Sequence, residues 1–133
     1  MIGIAMKECA IRSVDYVNNI YGTETMEIGA HVESRVDYND NESECKCIFS
    51  LIVNNTGEKE LIKIVITMEA IYSFSGTNKK EIHTKINEEL FAQARGTVCA
   101  LCGMVGLPTM VIPPINFAES EPVEINSNAN ANE

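Results

Sequence analysis

The chain has no tryptophan, only 10 Lys and Arg against 19 Asp and Glu, 2 His, and aromatic residues at 6%. Each shortage excludes something. With a net charge of -9 and no basic run or Lys/Arg stripe, the electrostatic footprint of a nucleic-acid binder is missing and a phosphate backbone would be repelled. No apolar run reaches the roughly 18 residues that a membrane-crossing helix needs. The N-terminal MIGIAMKECAIR lacks a basic segment followed by a long apolar one. The expectation is a cytoplasmic protein with neither nucleic-acid nor membrane partners. Five cysteines, Cys9, Cys45, Cys47, Cys99 and Cys102, form an odd set, and without a secretory signal they read as reduced thiols rather than a disulfide framework.

Catalytic signatures are missing too. The chain holds no Gly-rich phosphate loop, nucleophile elbow or HExxH. His31 and His83 have no neighbours at metal spacing, and His31 falls on the polar side of an alternating segment, where solvent exposure is expected. Glu88 and Glu89 are consecutive, so on a helix they cannot converge on one bond; they serve better as acidic residues of a first helical turn. Neither an enzyme nor a cofactor is expected. With 133 residues, 45% of them hydrophobic, the chain suits one domain, taken as residues 1–118. Residues 119–133 are polar and Asn-rich and are expected to form a disordered tail.

What the chain does have is alternation. From Thr25 to Tyr38, Met26, Ile28, Ala30, Val32, Val36 and Tyr38 alternate with Glu27, His31, Glu33, Arg35 and Asp37, the period of a half-buried antiparallel strand. After the turn signal Asn39-Asp40-Asn41-Glu42, Cys45, Cys47, Phe49, Leu51 and Val53 share one face. Asn54-Asn55-Thr56-Gly57 connects to Leu61 to Phe74, with Ile62, Ile64, Ile66, Met68, Ala70, Tyr72 and Phe74 on one face. The first segment, Ile2 to Val17, is poorly patterned. Ala5, Cys9, Ile11 and Val17 take one parity and Met6, Ala10, Val14 and Tyr16 the other, so either both faces are partly covered or a bulge shifts the phase.

A helix follows. Asn78 can cap a helix that begins at Lys79, and Ile86, Leu90, Ala94, Val98, Leu101 and Val105 form a continuous stripe, with Thr84 and Asn87 the candidate positions for a break. Between Val98 and Leu107 apolar residues occupy nearly every azimuth, and no charge occurs between Arg95 and Glu119. One side of such a helix rests on the sheet. The other needs cover, which an antiparallel copy of the same helix would supply by a symmetric contact. Ala100, Gly103 and Met104 belong to that side, and Ala100, Gly103 and Gly106 permit close approach.

Cys99-Ala-Leu-Cys102 reads CxxC, and Cys45-Lys-Cys47 puts two thiols on one strand face, so four sulfurs would make a zinc site if helix and strand met. A redox reading also exists. Against both, Cys99 and Cys102 lie deep in the helix, away from the N-terminus whose dipole would lower a thiol pKa, and no Pro separates them. Buried reduced thiols acting as small hydrophobes are the expected state.

The order of four strands, YSFSG closing the fourth, LFAQAR within the helix, and then GLPTMVIPPINFAE resembles the SecB-type protein-export chaperones. The matching motifs are Ile71 to Gly76, Leu90 to Arg95 and Gly106 to Phe117. The resemblance implies an α+β protomer: a four-stranded antiparallel sheet followed by a long helix and a Pro-containing crossover segment. It further implies dimers formed through first strands and helices, a homotetramer built as a dimer of dimers, and ATP-independent binding of unfolded or preprotein polypeptide clients in apolar grooves between sheet, helix and crossover.

On this reading the client-binding candidates are Tyr72, Phe74, Phe91, Met110, Ile112, Ile115 and Phe117, with Pro108, Pro113 and Pro114 stiffening the crossover. The family docks the SecA motor through acidic residues on the outer sheet surface. Here the corresponding positions are Ser13, Val17, Lys63 and Val65, so the resemblance extends to client holding and SecA is not carried over as a partner. Two alternatives stand beside the chaperone: a zinc- or thiol-dependent protein using Cys45, Cys47, Cys99 and Cys102, and an oligomeric module with one fixed protein partner.

Overall fold

The computed structural model describes residues 3–21, 26–41, 43–75, 78–107 and 112, and the backbone of 123–126. Four strands, β1 (Gly3–Asn18), β2 (Ile28–Tyr38), β3 (Glu44–Asn55) and β4 (Ile62–Ser75), are followed by the helix α1 (Lys79–Val105) and a short strand β5 (Val123–Asn126). The sheet order is β1-β4-β3-β2-β5. The first four strands pair antiparallel, and β5 joins β2 in parallel. Those four residues pair within the segment whose composition predicts a tail without order; the residues beyond 126 lie outside the described residues.

The turns follow local side-chain chemistry. Asn39 Oδ1 accepts from the backbone amides of Ser43 (2.9 Å) and Glu44 (3.1 Å), closing the β2-β3 connection. Asn55 Oδ1 accepts from Leu61 N at 2.9 Å and Ile62 N at 3.0 Å, while its amide donates to the Lys59 carbonyl at 2.7 Å. One buried Asn thus satisfies the loop between β3 and β4, where Gly57 takes φ 107°.

The alternating residues fall on one face, as their period requires. Cys45, Cys47, Phe49, Leu51 and Val53 of β3, and Ile62 through Tyr72 at even positions of β4, are all buried. The face they form packs against Ile82, Ile86, Leu90, Phe91, Ala94, Val98 and Cys102 of α1, and this layer between sheet and helix is the core. Asn78 caps the helix as its sequence position predicts, its side chain accepting from Glu81 N at 3.1 Å. At the other end Gly106 takes the left-handed conformation at φ 80°.

No break occurs at Thr84 or Asn87. Thr84 Oγ1 donates to the Lys80 carbonyl and Asn87 Nδ2 to the His83 carbonyl, each at 2.9 Å, so both polar side chains bond the preceding turn and the ladder continues. The 27-residue helix is about 40 Å long at the usual rise. No helix among the described residues is long and apolar enough to cross a membrane.

The two parities of β1 are reconciled by two register shifts, between Met6 and Glu8 and between Ile11 and Ser13. Each bulge absorbs one residue, Lys7 and then Arg12, and resets the phase. Opposite the inner-facing even positions of β4 from Ile64 to Phe74 stand Ile4, Met6, Cys9, Ile11, Val14 and Tyr16. All six are apolar. The strand therefore presents one unbroken apolar row to the helix side, although no single period in its sequence describes it.

Candidate functional site

The helix crosses above β3 and β4, so the outermost strand lies beside it rather than beneath it. As a result the apolar row of β1 runs out of cover: Ile11 is 47% exposed, Val14 43% and Tyr16 37%. Between this row and the helix lies an open groove of about 610 Å³. Its floor is Cys9, Ile11 and Met68, and its wall is Gln93, Gly96, Thr97 and Ala100. Gly96 leaves the wall low, with no atom within 4 Å of where a Cβ would stand. The lining is mostly apolar, and its polar groups are partly engaged: Cys9 Sγ lies 3.6 Å from Gln93 Oε1, and Thr97 Oγ1 donates to the Gln93 carbonyl at 3.0 Å.

The groove opens onto the outer side of the helix. There Cys99, Ala100, Gly103 and Met104 are exposed, Met104 at 81%. The sequence-derived interface residues Ala100, Gly103 and Met104 thus share one solvent-facing surface next to the β1 row. A methionine left so open on an acidic chain is a large apolar group without cover in the protomer.

The client-binding candidates are placed differently. Tyr72, Phe91 and Ile112 are buried in the core of the protomer, and Phe74 is half-buried, edge-on to Tyr38 with ring centroids 5.6 Å apart. Met110, Ile115 and Phe117 lie outside the described residues, as do Pro108, Pro113 and Pro114. Tyr72 Oη donates to Glu89 Oε1 at 3.0 Å, and burial first, then the Glu89 charge, holds the phenol proton more firmly than usual. Ile11, which lines the groove, and Val14 and Tyr16, which continue the β1 row beyond it, were not among the candidates. Their signal was the even count of apolar residues on the two parities of the first segment, which only a pair of bulges brings to one face.

The thiols do not gather. Cys45 and Cys47 lie buried on β3, Cys102 is buried on the helix, and Cys99 points to solvent. Burial pushes the Cys45 thiol up to about 12 and the Cys47 thiol up to about 11, the reverse of what a metal ligand or nucleophile needs. Among the described residues no group of three or more His, Cys, Asp or Glu is arranged to hold a metal ion. His31 is exposed, 3.6 Å from Glu33, whereas His83 is buried with its Nε2 against Tyr38 Oη.

On the opposite face of the sheet, Arg12 Nε and Lys46 Nζ each lie 2.8 Å from Glu69, and these two donors hold its carboxyl below the usual range. Ser13, Val17, Lys63 and Val65 share this outer face through the β1-β4 register. The surface is of mixed charge.

No protein-family model and no curated protein matches the chain. Solved structures do. A SecB-like chaperone of Mycobacterium tuberculosis, determined in complex with a ChAD peptide from the HigA1 antitoxin, is similar with TM-score 0.69 at 12% identity. The match covers 84% of this chain and 89% of that one. A Streptococcus agalactiae protein of unknown function is similar with TM-score 0.54 at 9% identity, over 86% of this chain and 99% of that one. The chain has the SecB-like α+β fold: a four-stranded antiparallel sheet followed by one long helix.

Proposed function

We propose that this protein is an ATP-independent chaperone that holds unfolded or extended polypeptide segments against apolar surface its own protomer leaves open. The observation that carries this reading is the uncovered apolar surface on either side of the groove, Ile11, Val14 and Tyr16 of the β1 row and Ala100 and Met104 of the helix. An apolar groove open along its length accepts a chain rather than a compact small molecule. The SecB-like fold adds support, because the similar mycobacterial chaperone was determined with a peptide bound.

The same surface serves two purposes on this reading. The outer helix side, Ala100, Gly103 and Met104, packs against a second copy, and the groove beside it receives the client. Met110, Ile115 and Phe117 of the crossover extend the client surface, and the tetramer is a dimer of dimers in the cytoplasm. The clients are non-native polypeptides; the mixed charge of the outer sheet face gives no basis for a SecA hand-off.

An aggregation assay tests the proposal. A reduced, unfolded protein should stay in solution when the chaperone is present without nucleotide, and Ile11→Asp should weaken capture about tenfold or more, since a carboxylate would be placed in an apolar contact. Because Ile11 is 47% exposed, the variant should fold normally. Unchanged capture by a folded Ile11→Asp protein would exclude the groove as the client site.

A further inference from the structure

The sheet has two edges, and they are built differently. The β1 edge is interrupted twice, by bulges at Lys7 and Arg12 that break the regular spacing of its outward backbone groups. The β2 edge has no such interruption. Its eleven residues, Ile28 to Tyr38, pair with β3 in an unbroken register, so their outward backbone groups are regularly spaced. The chain's own β5 takes only part of this edge, Val123 to Asn126 lying in parallel against Arg35 to Tyr38. Along Ile28 to Ser34 no strand partner is present among the described residues.

Side chains along the open stretch make it suitable for a particular occupant. On the helix side Ile28, Ala30 and Val32 are only half-buried, whereas Val36 and Tyr38, level with β5, are buried. An added strand with apolar residues at alternate positions would extend that row. Its direction is also indicated: the resident strand is parallel, whereas two β2 edges related by a two-fold axis would run antiparallel. A second copy of β2 therefore does not reproduce the observed pairing, and an extended segment does.

We propose that the outward edge of β2 is a strand-addition site for an extended polypeptide running parallel to it, and that Val123–Asn126 is a resident strand which competes for one end of that site. Backbone hydrogen bonds supply sequence-independent affinity there, and the half-buried row supplies a preference for alternating apolar residues. Displacing β5 lengthens the available edge from Ile28–Ser34 to Ile28–Tyr38. The client part of this inference rests on the polypeptide-holding function proposed above; the resident-strand part does not.

Hydrogen exchange read residue by residue tests both. The full chain carrying Glu124→Pro and Ile125→Pro loses backbone donors of β5. Outward amides within Arg35 to Tyr38 should then exchange about tenfold faster, while β3 and β4 amides stay protected and show the fold intact. A synthetic peptide of residues 119–133 added in excess should restore protection. A reduced, unfolded protein should slow outward amides from Ile28 to Ser34 in the parent and from Ile28 to Tyr38 in the variant, which should bind it several-fold more tightly.

Unchanged exchange in the Pro variant, or a peptide without effect on it, overturns the resident strand. A captured client that leaves β2 exchange unaltered overturns strand addition. If the unfolded protein is not captured at all, the chaperone reading falls, and the 119–133 peptide alone decides whether the edge is a pairing site.

Discussion

Cys45 and Cys47 sit two residues apart on the inner face of β3, where burial pushes their thiols up to about 12 and about 11 from an ordinary value of 9.0. The folded protein thus holds these protons more tightly than the unfolded chain does. That contribution to stability is fully present below pH 9 and is lost as pH rises through the folded values. Urea unfolding should show falling stability between pH 9 and about 12, and Cys47→Ala should make the fall shallower. A thiol reagent at neutral pH should modify the exposed Cys99 first and reach Cys45 and Cys47 only on unfolding. Asn78 is a second residue with a local role. Its side chain satisfies Glu81 N, and Asn78→Ala should cost about 1 kcal/mol in chemical denaturation without changing the native far-ultraviolet spectrum. Such a residue is legible in sequence because capping depends on three or four neighbours. The burial of Tyr72 and Phe91 was legible only as a face: alternation and helical period say which way a side chain points, not how thick the layer above it will be.

Among the elements, β2, β3, β4 and the helix could be read directly, since each keeps one period from end to end. β1 could not. Its apolar residues change parity twice, and both changes coincide with inserted cations, Lys7 and Arg12. At each site the residues flanking the insertion already face consecutive partners on β4: Met6 opposes Tyr72 and Glu8 opposes Ile71, while Ile11 opposes Met68 and Ser13 opposes Thr67. Deleting Lys7 and Arg12 together should therefore leave Ile4, Met6, Cys9, Ile11, Val14 and Tyr16 on the same face and preserve the fold. What changes is the edge, which becomes straight and loses two cations along with the Lys7 pairing to Glu44 and the Arg12 pairing to Glu69. A straight edge without bulges associates more readily. Light scattering should then report larger particles for the deletion than for the parent at equal concentration, with near-identical thermal unfolding at low concentration. Loss of folding would mean instead that the bulges position the row rather than merely protect the edge.

At the scale of the whole molecule, one helix laid over the middle of a sheet cannot cover all of it. The sequence signalled the resulting excess in the charge-free stretch after Arg95, but not which residues would be left uncovered, because that depends on where the helix crosses strands distant in sequence. The crossing leaves Met104 81% exposed on the helix and Ile11, Val14 and Tyr16 exposed on β1. If the helix sides of two copies meet, as Ala100 and Gly103 would permit, Met104 becomes a central apolar contact although it contributes little within one protomer. Met104→Asp separates these two roles. Placed on the free surface the carboxylate is solvated, so protomer stability should change by no more than about 0.5 kcal/mol. Placed against its own symmetry mate it is desolvated next to a like charge, on a chain that already carries -9, and the assembly should dissociate. Multi-angle light scattering should therefore find the parent oligomeric and the variant at or near the 14.7 kDa of one chain, while urea unfolding of the two differs little at low protein concentration. A parent that is itself monomeric would remove the self-assembly role of this face. The exposed surface would then be available in full to clients, and Met104→Asp would weaken client capture instead of assembly.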